Sequence, residues 1–400
     1  MMTALPINIL LPDFYAERTG LSLLTIGLIL LATRLIDAVA DPLLGTWVDV
    51  QKARGAYLRP ILVAAPVLAM SFWLLFNPSP GLDSAARSGT WLFVTLAGAY
   101  LGFSLAMVAY QAWGAELAHD DAGRARITAA REGAGLIGVL LGGTLPQLLG
   151  YPVQAATFVL LLVAALWLLY ARAPRPPAPR GLPPGGNPYL AFIEPLKSSR
   201  TRWLLAVFGF NALAPAITAT VFLFFVADRL GLPQQAPLFL ALYFIAGAAG
   251  MPLWARLARR FSLHALWLAG MVASVVAFVW AYLLPPGAFT GFAAICVLSG
   301  LAFGADLALP PALLARVIDV NGHNGQREGA YFGLWNFVNK LVLALAGAAA
   351  LGLLTALGYV RGASDATALT ALAVTYALVP CLLKLAAAGL LLAAWRGQKF

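Results

Sequence analysis

The chain is predicted to be an all-α polytopic membrane protein built as two six-helix bundles, and three observations predict it. Of its 400 residues, 61% are hydrophobic and only 10% charged, with a mean hydropathy of +0.84, whereas soluble domains carry about 25% charged residues. Apolar runs of the roughly 20 residues that a spanning helix needs recur along the whole chain. A proline-rich break near the middle, Ala173-Pro-Arg-Pro-Pro-Ala-Pro-Arg-Gly-Leu-Pro-Pro-Gly-Gly, cannot continue a helix and sorts those runs into two sets.

The first apolar stretch, Leu5 to Tyr15, is too short to span and runs into Asp13 and Glu17. It is expected to be the tail of a first helix that begins upstream of Met1. Eleven full spans follow, near residues 22 to 47, 58 to 77, 90 to 113, 128 to 149, 153 to 171, 203 to 227, 236 to 257, 263 to 284, 290 to 315, 328 to 356 and 368 to 395. Residues 1–171 are therefore expected to form an N-terminal six-helix bundle, 172–202 a cytoplasmic linker and 203–400 a C-terminal six-helix bundle. Tyr189 to Lys197, behind the prolines, reads equally well as a short amphipathic surface helix or as plain linker.

Twelve spans place both termini and the middle loop on one side. Nineteen of the 26 Lys and Arg fall on that side, Lys52, Arg172, Arg202, Arg259 and Lys399 among them, and only Arg18, Arg87, Arg229 and Arg361 on the other. The positive-inside rule makes the first side cytoplasmic. The net charge of +10 is then a topological feature facing anionic lipid, and nucleic acid is not an expected partner. The expected setting is the cell (inner) membrane, as a monomer. Cys296 and Cys381 lie in separate apolar spans and suggest neither a disulfide nor a metal site. His119, His264 and His323 fall in or beside predicted loops without ligand spacing, and no His-Glu-x-x-His, Gly-x-Ser-x-Gly or phosphate-binding glycine loop occurs. An enzyme is not expected, and no cofactor beyond a coupling ion.

The halves echo each other at an offset near 200. Ala112, Ala115 and Glu116 match Ala312, Ala315 and Arg316, and Asp41-Pro42-Leu43 aligns with Met251-Pro252-Leu253. Paired repeats of this kind suit a transporter that rocks about a site between two bundles. Asp37 and Asp41 face Gly247 and Met251 in the alignment, so the acidic pair belongs to the N-terminal half alone.

That pair is the strongest chemical signal. A charge near the bilayer centre costs at least roughly 2.5 to 3.5 kcal/mol, so Arg34, Asp37 and Asp41 in one span need one another, a cation or a proton. Carboxylates at i and i+4 share a helix face. They suit Na⁺ held by oxygen ligands, or a proton retained where like charges crowd. Arg34, three residues before Asp37, also fits a purely structural ion pair. Lys340 lies some 18 Å beyond Glu328 along its helix, at 1.5 Å per residue, and its simplest partner is the carboxylate pair. Asn336 and Asn339 flank it. Asp306 either pairs with Lys340 or lines the pathway, and Lys384 either snorkels or is buried. Tyr110, Trp113, Tyr331 and Trp335 suit stacking on a sugar-like or apolar ligand, or plain core packing. Gly133, Gly135, Gly138, Gly142 and Gly143 suit close helix packing or a hinge.

Four motifs together resemble the glycoside-pentoside-hexuronide:cation symporters, the melibiose permease branch of the major facilitator superfamily. They are Arg34-x-x-Asp37-Ala-x-x-Asp41-Pro42-x-x-Gly45; Tyr110-x-Ala112-x-x-Ala115-Glu116-Leu117 with Arg124; Asp319 with Gly325-Gln-Arg327-x-Gly329-x-Tyr331-Phe332-Gly333; and Trp335-x-Phe337-x-x-Lys340. The resemblance implies the major facilitator fold with twelve helices and alternating access. It also implies Asp37 and Asp41 as cation ligands, with Na⁺ or H⁺ as the ion, and Lys340 as their charge partner. Asp49 to Arg59 resembles the superfamily's cytoplasmic loop, which latches the halves together; Glu116, Arg124, Arg316 and Arg327 are expected to join that latch. Two departures bear on specificity. Ala40 stands where the melibiose permease has an asparagine that helps hold Na⁺, although Ser104 occupies the place of a hydroxyl ligand. Met107 stands where an acid holds sugar. The expected function is H⁺- or Na⁺-coupled symport of a small organic solute such as a sugar or glycoside. Symport of a lysophospholipid or other amphipath is the alternative, and a non-transporting receptor or scaffold a third reading.

Overall fold

A computed structural model describes all residues except 1, 4, 5, 8–10, 20, 79–83, 119, 175–191, 361, 363–364 and 398–400. Arg175, Arg180, Arg361, Lys399, His119, most of the proline-rich linker and the start of the proposed Tyr189 to Lys197 helix lie outside the described residues. The side chain of Asp13 does as well.

Among the described residues, regular structure is helical. A nine-residue helix, α1 (Leu11–Thr19), overlaps the end of the short first stretch and runs four residues past Tyr15. It leads to α2 (Leu23–Ala53), α3 (Arg59–Phe76), α4 (Ala85–Glu116), α5 (Asp121–Leu149) and α6 (Tyr151–Arg172). A single turn, α7 (Glu194–Lys197), precedes α8 (Ser199–Phe224), which a π-helical turn extends to Arg229. Then come α9 (Ala236–Leu257), α10 (Leu263–Phe278), α11 (Phe289–Val320), α12 (Glu328–Ala356), α13 (Ala366–Ala373) and, through a second π turn, α14 (Val379–Arg396). Nine of these segments are long and apolar enough to cross a membrane. The more charged α2, of 31 residues, and α5, of 29, stand where the other two of the eleven expected full spans fall.

Local chemistry sets the helix ends. Ser22 accepts from the Thr25 amide, Ser84 from Arg87, Ser262 from Ala265 and Asp365 from Ala368, which satisfies first-turn donors that have no intrahelical partner. Pro42, Pro66, Pro146, Pro215, Pro252, Pro310 and Pro311 sit inside helices, as membrane spans tolerate when neighbouring helices compensate the lost bond.

The chain divides into two compact units. The first comprises Met1–Leu117, Gly133–Pro195 and Gly322–Phe337; the second comprises Ala118–Glu132, Leu196–Asn321 and Val338–Phe400. In the first, α4 packs on α2 and α3, and α3 on α6. In the second, α11 packs on α9 and α10, and α10 on α14. The α2–α4, α3–α4 and α3–α6 pairings correspond in order to α9–α11, α10–α11 and α10–α14, whereas α8 also packs on α14. The first core gathers Phe14, Tyr15, Phe72 and Phe76 with Tyr151, and the buried Tyr15 hydroxyl donates to the Leu75 carbonyl at 2.8 Å. The second gathers Phe222, Phe225, Phe239, Phe292 and Tyr376, with Phe225 stacked on Tyr376 at 4.0 Å between centroids.

Candidate transport site

In the first unit, α2 carries Asp37 and Asp41 one turn apart, 5% and 0% exposed. The Ser104 hydroxyl on α4 donates to Asp37 Oδ1 at 2.6 Å, so the packing of α2 on α4 unites two of the residues singled out from the sequence. Arg34 is exposed, and its Nε reaches the Tyr100 hydroxyl at 3.5 Å; nothing in the local sequence pointed to Tyr100. Ala40 is part-buried beside the pair and offers no oxygen from its side chain. The arrangement is a buried, oxygen-rich locus suited to a proton or a small hard cation.

Farther along α4, Met107 is part-buried and Tyr110 is 45% exposed. Trp113 is buried and donates from its indole to the Pro174 carbonyl at 3.1 Å. On α12, Tyr331 and Trp335 are buried. The Tyr331 hydroxyl lies 2.9 Å from His323 Nδ1, and the Asn336 amide donates to Gln111 Oε1 at 3.1 Å. Tyr110 and Asn339 are thus exposed, whereas Trp113, Tyr331 and Trp335 are buried. Lys340 is part-buried and falls in the second unit, the aspartate pair in the first.

The latch residues form two clusters. In the first unit, the Asp49 carboxylate accepts from the Gly329 and Ala330 amides at 2.7 and 2.8 Å, where a negative charge meets the donors and positive dipole end of α12. Lys52 is 2% exposed and is held by Glu116, by Glu328 at 2.5 Å and by Asp49 at 3.8 Å. Tyr57 donates to Glu116 at 3.5 Å, and burial together with the Glu116 charge pushes its hydroxyl up to about 12. Arg59 donates to Gln51 at 3.2 Å. A Cβ on Gly45 or Gly329 would collide with the other's carbonyl oxygen, and one on Gly333 would crowd Pro42 Cα at 3.2 Å. These glycines bring the α2 and α12 backbones together. In the second unit, Arg124 reaches Asp319 at 2.9 Å and Asp121 at 3.7 Å, and Arg316 reaches Asp121 at 2.7 Å. Arg327 is part-buried in the loop before α12. Burial and the Arg327 charge lower the His323 imidazole below its usual value.

Sequence reading counted Lys52 among the topology-setting charges and passed over Glu328. The available signal was the spacing of Lys52 three residues after Asp49, on the same helix face. Asp306 pairs with Lys384 rather than lying beside Lys340: Lys384 Nζ donates to Asp306 Oδ2 at 2.5 Å, and Lys384 is 7% exposed, so it does not snorkel.

The sequence pattern of the MFS/sugar transport protein family matches residues 1–393. An uncharacterised symporter of Bacillus subtilis, YjmB, is 23% identical over 363 residues, spanning 85% of this chain and 77% of that protein. The glucuronide carrier protein homolog of Escherichia coli is 30% identical over 124 residues, covering 30% of this chain and 26% of its own length. A bacterial homologue of the iron transporter ferroportin, crystallised in an outward-facing state, shares the fold with a TM-score of 0.76 at 15% identity, over 98% of this chain and 95% of that one. The motifs around Asp37, Asp41 and Lys340 and the match across both halves agree: this chain is a multi-pass secondary transporter and belongs to the MFS/sugar transport protein family of the major facilitator superfamily.

Proposed function

We propose that the protein carries out symport of a small organic solute such as a sugar, sugar acid or glycoside with H⁺ or Na⁺, by alternating access. The observation that carries this reading is the buried Asp37, Asp41 and Ser104 locus, with the Ser104 hydroxyl 2.6 Å from Asp37. Two carboxylates at that depth change the net charge of the membrane interior when a cation binds, which couples occupancy to conformational change. Lys340 is the proposed counter-charge that occupies the pair when the cation leaves. Asp49, Lys52, Glu116, Arg124, Arg316 and Glu328 are the proposed cytoplasmic latch, Arg59 and Arg327 its flanks. In this reading residues 1–171 and 203–400 are the moving bundles, 172–202 is the linker, and the protein works as a monomer in the inner membrane with cytoplasmic termini. The name of the E. coli relative supports glucuronides as first substrates to try. The missing oxygen at Ala40 favours H⁺ over Na⁺, which needs more ligands.

Proteoliposomes test the proposal. Uptake of a labelled glucuronide is expected to rise with an inward H⁺ or Na⁺ gradient and to be lost in Asp41→Asn. Uptake indifferent to both gradients, or intact in that variant, rejects symport at this locus. Met107 in place of a sugar-holding acid supports a second reading, transport of a lysophospholipid. It predicts that lysolipids raise the melting temperature of the purified protein and sugars do not.

A further inference from the structure

The second unit holds a polar cluster that the transport reading does not use. Lys384 on α14 donates to Asp306 Oδ2 on α11 at 2.5 Å and to Asn211 Oδ1 on α8 at 3.1 Å. Asp306 Oδ1 accepts from Asn211 Nδ2 at 3.0 Å and from the Trp267 indole on α10 at 3.1 Å. One positive and one negative charge balance, and both carboxylate oxygens are occupied. An ammonium has three donors, and the cluster uses two.

Lys384 also forms part of the wall of a cavity of about 110 Å³, and among the described residues it is the only charged side chain in that wall. The rest is largely aromatic and apolar, Phe222, Phe239, Tyr243 and Tyr376 included. The Ser299 hydroxyl in the wall donates back to the Ile295 carbonyl at 2.6 Å, so it offers no donor inward. Ala219 and Leu240, the exposed residues of the lining, mark the mouth. An apolar cavity of about 150 Å³ takes up benzene; this one is smaller but open at its mouth, so it suits one small ring of about that size whose outer edge lies at the mouth.

We propose that this cavity is a binding site for a small, neutral, mostly apolar molecule with one hydrogen-bond acceptor, which enters past Ala219 with its carbonyl or hydroxyl oxygen toward the third N–H of Lys384. A cation would meet the ammonium unfavourably. An anion would unbalance a cluster whose charges already cancel in a low dielectric. A hydrocarbon would leave the donor unmet.

Saturation-transfer NMR on the purified protein in detergent tests the site with three probes: cyclopentanone, its isostere methylenecyclopentane, which lacks the acceptor, and cyclopentylammonium. Cyclopentanone is expected to bind at least about tenfold more tightly than the isostere, the worth of one hydrogen bond to a charged donor, and the ammonium not to bind. Ala219→Phe, at the exposed mouth, is expected to abolish the cyclopentanone signal. Lys384→Met combined with Asp306→Asn removes both charges together and is expected to make ketone and isostere equal. Equal binding of ketone and isostere to the wild type, or a ketone signal that survives Ala219→Phe, overturns the proposal. The free thiols of Cys296 and Cys381, both in the wall, supply an independent readout: cyclopentanone is expected to slow their reaction with a methanethiosulfonate in the wild type and not in Ala219→Phe.

Discussion

Lys52 is held among three carboxylates, those of Asp49, Glu116 and Glu328, and is 2% exposed. Lys52→Met keeps most of the side chain's volume and removes the charge. Breaking a buried ion pair by deleting one partner costs about 3 to 5 kcal/mol, because the remaining charge has lost its compensation. That raises the population of the opened arrangement roughly 150- to 5,000-fold. Proton uptake limits the cost: protonating an ordinary glutamate at pH 7 takes about 3 to 4 kcal/mol, and about 1.4 kcal/mol less for each unit the pH falls. The Gly329 and Ala330 amides, which donate to Asp49, are direct reporters. Hydrogen-exchange mass spectrometry of peptides covering 325–335 is expected to show protection falling in Lys52→Met by about those factors at pH 7. The difference from wild type, corrected for intrinsic exchange, is expected to shrink about tenfold per unit toward pH 5.5. Unchanged protection would refute the assignment of Lys52 as the centre of the cluster. A loss of protection independent of pH would refute the electrostatic account while leaving the packing role.

Three other perturbations probe separate parts of the molecule. Gly329→Ala places a Cβ against the Gly45 carbonyl and 2.8 Å from an Asp49 oxygen; overpacking of this kind costs about 1 to 3 kcal/mol, seen as a lower melting temperature, and Gly347→Ala, with nothing within 4 Å, is the control expected to lose none. Ser104→Ala removes a hydroxyl oxygen from beside Asp37 and is expected to weaken Na⁺ by about tenfold, measured as the Na⁺ concentration giving half-maximal uptake. The His323 imidazole is lowered, so the unfolded chain takes up its proton first: the associated stability is present above about pH 6.5 and is lost as the pH falls through the folded value. His323→Gln is therefore expected to show a smaller drop in melting temperature than wild type between pH 7.5 and 5.5, and an equal drop would refute this.

Much of the fold was legible. The expected span 328 to 356 coincides with α12, and 58 to 77 lies within a residue of α3 at each end. The differences gather where helices run past the apolar stretch, as α2 does to Ala53 and α11 to Val320. Hydropathy marks where lipid would be, not where hydrogen bonding stops, and polar residues such as Lys52 continue a helix once tertiary partners take their charge. Asp37 and Ser104, which one motif and one register single out, do meet through a hydrogen bond. The four-helix cluster around Asp306 was not legible, because Asn211, Trp267, Asp306 and Lys384 stand on four helices distant in sequence and share no local spacing. Lys52 was counted for its sign on one side of the membrane, a reading that says nothing about which carboxylates surround it.

The bond between Asp49 and α12 is made to main-chain amides, which every residue but proline possesses. Position 330 therefore keeps its grip on Asp49 whatever its side chain, and because Ala330 is fully buried a scan with larger side chains would report crowding there and not this bond. Proline is the informative exception. In the first turn of a helix it fits the backbone and interrupts no internal bond, so Ala330→Pro would erase one donor to Asp49 and leave the rod itself intact.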